Sequence, residues 1–175
     1  MKTKIVLAFA LMVAASGWVG AATAIAEPPV KPVSAALTAK GFALLAGKQA
    51  NAATDQFETA LAVDPMNRRA YVGLAQAAKA QGLPGKAVRY YREALALEPN
   101  DLEALSGRAE ALAARGATAR AGIDLARIRT LCGKGACPAA QRVESAIAVA
   151  TAEGATRTAA NMPALKPVSP KHASN

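Results

Sequence analysis

Apolar side chains between residues 34 and 153 recur three or four positions apart, which is the spacing of one face of a helix. A longer period is superimposed on this one, since side chains of similar size return every 34 residues. Two successive sets are Ala53, Phe57, Ala60, Pro65 and Ala87, Tyr91, Ala94, Pro99. A third set, which keeps the sizes less well, is Ala121, Leu125, Ile128, Gly133. A fixed period of this length predicts a repeat protein, in which one small structural unit recurs.

Each unit is predicted to be a pair of helices joined by a turn. Small residues recur where two helix backbones approach: Gly41, Ala53, Ala75, Ala87, Ala109 and Ala121. Large residues fill the space between successive pairs, and five positions are predicted to be buried at the centre: Tyr71, Leu74, Ala87, Tyr91 and Ala94. Turn glycines interrupt each unit: Gly47, Gly82 and Gly116. Asp64-Pro65 and Glu98-Pro99 end the second helices, and three residues are available to cap the helices that follow: Asn67, Asn100 and Asp101.

This order of small, aromatic and proline positions resembles the tetratricopeptide repeat, a helix-turn-helix unit of 34 residues. The resemblance covers residues 34–135 as three repeats, 34–67, 68–101 and 102–135. It implies an all-α fold, a short right-handed α-solenoid of three helix pairs, with a capping helix at 138–153 over its C-terminal end. Lys40 and Arg108 stand where the family has an apolar residue. We expect their stems to cover apolar surface while their charges stay in water.

The resemblance also implies where a partner binds. In this family the first helices of successive repeats line a concave groove that receives a peptide or helix of another protein. Carried over by register, the partner groove consists of Phe42, Leu45, Arg69, Val72, Gln76, Lys79, Glu103 and Glu110, with Thr38 and Ser106 beside them. Thr38 and Phe42 occupy first-repeat positions of the family's clamp for a C-terminal carboxylate, so that clamp is not reproduced. The alternative for Phe42 is that it packs under the first pair of helices.

Both ends of the chain differ in composition from the repeats. Residues 1–26 have a basic start, a short apolar run and a small-residue pattern at Ala24-Ile25-Ala26, which together predict a signal peptide cleaved after Ala26. A second possible cleavage site, Ala22-Thr23-Ala24, lies two residues earlier, and an uncleaved membrane anchor is the alternative to cleavage. Residues 27–33, with three prolines, are predicted to be a linker, and residues 154–175 a disordered tail. The chain is therefore expected in the periplasm or outside the cell, with no stable membrane insertion after cleavage.

The two cysteines, Cys132 and Cys137, have four residues between them. An export signal favours oxidation, and the glycines between the cysteines allow the loop to close, so a structural disulfide is predicted. Free thiols are one alternative. Redox chemistry is the other, although the C-x-x-C spacing typical of it is absent. Zinc would need more ligands than the repeats supply, since the sole histidine is His172 in the tail.

Charge and chemistry narrow the function further. The formal net charge is +9, but aromatic residues make up only 4% of the chain, which disfavours stacking on nucleic acid. Basic residues at helical spacing on the second repeat, Lys86, Arg89 and Arg92, are interpreted as a solvated outer face. The repeats hold no histidine base and no glycine-rich phosphate loop, so neither an enzyme nor a cofactor is predicted. The sequence predicts a periplasmic adaptor that binds another protein. The alternative is a basic protein that binds an acidic polymer or an anionic membrane surface.

Overall fold

The computed structural model describes residues 29–160, and within that range it contains seven helices and no strand. The helices are α1 (Pro32–Ala46), α2 (Ala50–Val63), α3 (Arg68–Ala80), α4 (Pro84–Leu97), α5 (Leu102–Ala114), α6 (Thr118–Cys132) and α7 (Pro138–Ala160). Proline occupies the start of three of them, where its missing N–H costs no helical hydrogen bond. The predicted signal peptide lies outside the described residues.

Helices that follow each other in sequence pack together as antiparallel pairs: α1 with α2, α3 with α4, and α5 with α6. The second helix of each pair also packs against the first helix of the next pair, so the three pairs stack in chain order. The last helix, α7, covers α5 and α6. The predicted all-α fold of three helix pairs and a covering C-terminal helix is confirmed.

The turn inside each pair is built in the same way. Lys48, Gly82 and Gly116 are spaced 34 residues apart and have φ angles of 58°, 71° and 73°. In each turn the N–H of the next residue donates to a carbonyl five residues back, at 2.8–2.9 Å, which is the closing bond of a Schellman motif. Glycine suits this left-handed position at two of the turns. In the first turn it is Lys48 that adopts it, whereas the predicted turn residue Gly47 has a φ of −78°.

The turns between pairs end in side-chain caps. Oδ1 of Asn67 accepts a hydrogen bond from the N–H of Ala70 at 3.2 Å, and Asp101 accepts bonds from the N–H groups of Glu103 and Ala104. These bonds satisfy donors that the first turn of a helix leaves without intrahelical partners. Both residues were predicted as caps, and they fix where α3 and α5 begin.

One large side chain anchors each junction between pairs. Phe57 of α2 is fully buried and packs into a space left by Gly41 and Gly73, on α1 and α3. Tyr91 of α4 is buried at the next junction, where it joins a larger core cluster that includes Leu105 and Val143. The burial predicted for Leu74, Ala87, Tyr91 and Ala94 is confirmed. Tyr71 was predicted to be buried but is half-buried, because it packs against the edge of that cluster.

Three sequence predictions need correction. The first helix starts at Pro32, inside the segment predicted to be a linker. The last helix ends at Ala160, so residues 154–160 are helical rather than part of a disordered tail. Arg108 does not hold its charge in water, because its guanidinium donates to both carboxylate oxygens of Asp124, at 2.9 and 2.6 Å. Lys40, in contrast, is exposed as predicted.

The end of α6 is tied covalently to the start of α7. Cys132 and Cys137 form a disulfide, with a Cα–Cα distance of 5.9 Å, as predicted. This bond closes the loop that joins α6 to α7. None of the helices within residues 29–160 is long and apolar enough to cross a bilayer.

Candidate functional site

A cavity of about 330 Å³ opens between α1, the turn before α3 and the end of α4. Its walls are mostly apolar, and the apolar residues are Val30, Ala35, Ala39, Phe42, Met66 and Leu97. Val30 and Met66 are 43% and 59% exposed, so the mouth of the cavity is apolar as well. We refer to this space as the α1 cavity. It has the size and lining of small binding pockets in proteins.

Phe42 forms one wall of the α1 cavity and also packs into the protein. Its ring meets that of Phe57 edge to face, with centroids 5.1 Å apart. On its other side lies the guanidinium of Arg69, whose Cζ atom is 5.4 Å from the centre of the Phe42 ring. Phe42 therefore supports the first pair of helices and also lines a surface cavity.

The inner wall of the α1 cavity is held by a buried polar network. Nδ2 of Asn67 donates to the hydroxyl oxygens of Ser34 and Thr38, at 2.7 and 2.9 Å. Ser34 in turn donates to the carbonyl of Ala60. Because these polar groups are buried and paired, they fix the position of α1 relative to α2 and α3. Thr38 lines the cavity but its side chain is only 4% exposed, so it offers a partner little surface.

The wall opposite α1 is fixed by ion pairs. Arg68 pairs with Glu98 at 2.8 Å and with Asp101, which caps α5. These pairs join the start of α3 to the turn between α4 and α5. Glu98, the carboxylate that lines the cavity, therefore already has a cationic partner.

The remainder of the face formed by α1, α3 and α5, called here the first-helix face, is occupied by contacts between its own side chains. Gln76 donates to Glu103 at 2.8 Å, and Lys79 pairs with Glu110 at 2.5 Å. Arg142 of α7 approaches the same Glu110 at 3.5 Å. Four of the predicted groove residues are thus paired with one another or with α7. The charges of Lys79 and Glu110 therefore balance each other, while Glu103 accepts a hydrogen bond from a neutral amide.

Two other predicted groove positions are buried, and a third lies outside the α1 cavity. Val72 is 1% exposed and belongs to the hydrophobic core, so its assignment to the groove was wrong. Ser106 is 2% exposed and donates to the carbonyl of Glu103. Leu45 is half-buried against the first core cluster and does not line the α1 cavity. The repeat register assigned these residues to the first helices of the pairs, but it did not indicate which of their side chains are buried.

Of the two cations predicted to line the groove, Lys79 is paired with Glu110 and Arg69 forms no ion pair with any described side chain. Arg69 is exposed and lines the α1 cavity. Phe42 and Arg69 were predicted to face the same groove, and the structure brings them into direct contact.

Beneath the paired carboxylates lies Tyr91. Burial raises the pKa of its phenol above the ordinary value, and the negative charges of Glu110 and Glu103 raise it further. The phenol therefore stays neutral at physiological pH and is not a candidate base. Within residues 29–160, no three side chains of the types that bind metal ions lie together.

Several residues of the α1 cavity were not predicted. Val30 lies in the segment interpreted as a linker, and Met66 and Leu97 lie at the turns between pairs. Met66 stands between Pro65 and the cap Asn67, and a large apolar residue in such a turn is a sequence signal for an exposed apolar surface. Val30 carries no comparable signal, because the composition around it resembles that of any linker.

Comparison with known proteins supports the repeat assignment. A family model described as "Tetratricopeptide repeat" matches residues 68–111, which span the second pair and most of α5. No curated protein matches the sequence. The centre of the chain is therefore similar to a tetratricopeptide repeat.

Solved structures show the same fold. The first tetratricopeptide-repeat domain of human RPAP3 is 22% identical, with a TM-score of 0.63, covering 71% of this chain and 96% of that one. The first such domain of Spaghetti (RPAP3), bound to the HSP90 peptide SRMEEVD, is 20% identical, with a TM-score of 0.61, covering 70% and 96%. The domain of Sgt2 from Aspergillus fumigatus is 21% identical, with a TM-score of 0.64, covering 82% and 93%. At these identities the likeness establishes the fold.

Proposed function

We propose that this chain is a non-enzymatic adaptor that binds a short segment of another protein at the α1 cavity. The observation that carries the proposal is the contrast within the first-helix face. Its C-terminal part is closed by ion pairs, whereas its N-terminal part keeps an apolar cavity with an exposed arginine at the rim. A concave apolar site with few polar groups is the usual form of a binding site. The domain of Spaghetti (RPAP3) is bound to an HSP90 peptide, so this fold binds a peptide in that protein.

The same proposal includes export to the bacterial periplasm, which rests on the N-terminal sequence and on the disulfide between Cys132 and Cys137. Expression of the whole chain in a bacterium, followed by fractionation and mass measurement, tests it. We expect a periplasmic species that begins at Glu27. A protein of full mass in the cytoplasm would contradict this part of the proposal without affecting the binding site.

The binding site is tested by panning a displayed library of random peptides on the purified chain. Ala39 is exposed and lines the α1 cavity, so Ala39→Phe fills the cavity without removing any core contact. Ala36 is exposed on the same helix but does not line the cavity, and Ala36→Phe is the matched control. We expect the selected peptides to bind the wild type and the control but not Ala39→Phe.

The alternative function predicts a different result. Lys86, Arg89 and Arg92 are exposed on α4, as expected for an outer face. If the basic surface were the binding site, Arg89→Glu with Arg92→Glu would abolish binding while Ala39→Phe would not. That outcome would replace the cavity with the outer face as the site.

A further inference from the structure

The basic residues of the first-helix face, and Arg142 of α7 beside it, differ in whether a carboxylate already pairs with them. Arg68 pairs with Glu98 and Asp101, while Lys79 and Arg142 share Glu110. Arg69 has no carboxylate partner among the described side chains. Its position is nevertheless defined, because the guanidinium lies over the ring of Phe42 at 5.4 Å. An unpaired cation in a fixed position can select an anion from a partner.

The cavity beside this guanidinium favours an apolar side chain of a partner. Its volume of about 330 Å³ and its apolar walls suit one bulky apolar side chain, rather than the whole face of a helix. Met66 and Val30 are exposed apolar residues of the lining, so an apolar side chain that enters there would exchange water for apolar contact. The anion that pairs with Arg69 and the apolar side chain that enters the cavity must come from neighbouring parts of a partner. The reason is that Phe42 is both a wall of the cavity and the ring under Arg69.

We propose that the α1 cavity recognises a bulky apolar residue that has an aspartate or glutamate close to it in sequence. This inference rests on the proposed function and specifies its partner. The apolar side chain enters the cavity and the side-chain carboxylate pairs with Arg69. Since an extended chain advances about 3.4 Å per residue, the acidic residue lies within about two positions of the apolar one. A basic residue at that place would be repelled by Arg69, whereas Glu98 across the cavity is already paired with Arg68.

The carboxylate comes from a side chain rather than from a C-terminus. Thr38 and Phe42 stand at the first-repeat positions of the clamp that the resemblance implies for a terminal carboxylate, and the Thr38 hydroxyl is buried in hydrogen bonds. Arg69 thus acts without the further donors that a terminal carboxylate clamp uses. Peptides whose ends are acetylated and amidated should therefore bind as well as peptides with free ends.

Panning with random peptides, extended to three targets, tests this inference: the wild type, Arg69→Glu and Arg89→Glu. Wild-type selection should enrich peptides with an acidic residue within two positions of an aromatic or large aliphatic one. Arg69→Glu should enrich a basic residue at that place, and Arg89→Glu, a charge reversal on the outer face, should give the wild-type pattern. In a synthetic capped peptide from the wild-type set, replacing the acidic residue with its amide should weaken binding about fivefold, the upper end for an exposed ion pair.

The outcomes separate the two proposals. Peptides that lose binding to Ala39→Phe but show no acidic preference, or keep the same preference on Arg69→Glu, would overturn this inference and leave the cavity as the binding site. Peptides that require a free C-terminus would overturn it as well. If no selected peptide distinguishes Ala39→Phe from Ala36→Phe, the proposed function fails and this inference fails with it.

Discussion

The ring of Tyr91 occupies the space that a side chain at Gly107 would need, since a Cβ atom built there would lie 2.2 Å from Cζ of Tyr91. The same relationship exists one repeat earlier, where a Cβ atom at Gly73 would lie 2.3 Å from Cε1 of Phe57. In both cases an aromatic residue of a second helix lies against the backbone of the first helix of the next pair. These two contacts hold successive pairs at a fixed distance, and thereby determine the spacing of the first-helix face.

Gly107→Ala should destabilise the protein. The methyl group would displace the buried ring of Tyr91, and overpacking of this kind costs about 1–3 kcal/mol of the free energy of unfolding. Gly122→Ala is the matched control, because Gly122 is also helical but has nothing within 4 Å of a Cβ atom. The control should gain about 0.5–1 kcal/mol from helix propensity. Urea unfolding of both variants measures the difference, and equal stability would contradict the packing described here.

The sequence predicted the helix pairs and the central aromatic residues because Phe57 and Tyr91 recur with a period that few other arrangements produce. Gly73 and Gly107 recur with that period too, but a small residue inside a helix does not indicate which ring lies over it. The pairing of Lys79 with Glu110 was not predictable either. It depends on the distance between α3 and α5, which follows from packing rather than from the order of residues. Arg69 and Phe42 were found together because repeat register places both on the first-helix face.

Lys48→Gly should stabilise the protein. Lys48 is the only non-glycine residue with a positive φ among those described, and a side chain in that conformation costs about 1 kcal/mol. The equivalent turns use Gly82 and Gly116. Glycine also gains entropy in the unfolded chain, which reduces the benefit, so we expect an increase of about 0.5 kcal/mol. Thermal unfolding measures this change, and Gly82→Ala should lower the stability in the same experiment. A Lys48→Gly variant less stable than the wild type would refute the prediction.

Asp124→Ala should be strongly destabilising. Asp124 is 6% exposed at its side chain, and without it the guanidinium of Arg108, which is 23% exposed, would lose both hydrogen bonds. Breaking a buried pair costs about 3 kcal/mol or more. In the second repeat the equivalent residues are Leu74 and Tyr90, which are packed together. Arg108→Leu with Asp124→Tyr should therefore recover most of the stability lost in Asp124→Ala. A double variant as unstable as the single one would show that a Leu–Tyr pair cannot replace the stability contributed by the ion pair of Arg108 and Asp124.

Tyr91→Phe should make the protein more resistant to alkali. Burial, with smaller effects from Glu110 and Glu103, raises the pKa of Tyr91 above its ordinary value of 10.0. As the pH rises, the unfolded chain therefore loses the phenolic proton before the folded chain does. The stability that the neutral phenol contributes is fully present below pH about 10 and is lost as the pH rises further. The wild type should lose about 1 kcal/mol more than Tyr91→Phe between pH about 10 and 11. The free energy of unfolding, measured by urea titration at each pH, gives this difference directly. Parallel losses in the two proteins would contradict a buried, neutral phenol.

Removing the disulfide should loosen α7 without changing the α1 cavity. Closing a loop of six residues contributes about 2 kcal/mol on the chain-entropy model, and Cys132→Ser with Cys137→Ser should lower the free energy of unfolding by that amount. Because α7 contacts α5 and α6 but not α1, hydrogen exchange should accelerate in α7 while α1 keeps its protection. Peptides selected by the wild type should bind the variant with unchanged affinity, since the residues lining the α1 cavity lie between Val30 and Glu98. Loss of peptide binding together with intact protection of α1 would place the binding site near α7 and contradict the α1 cavity.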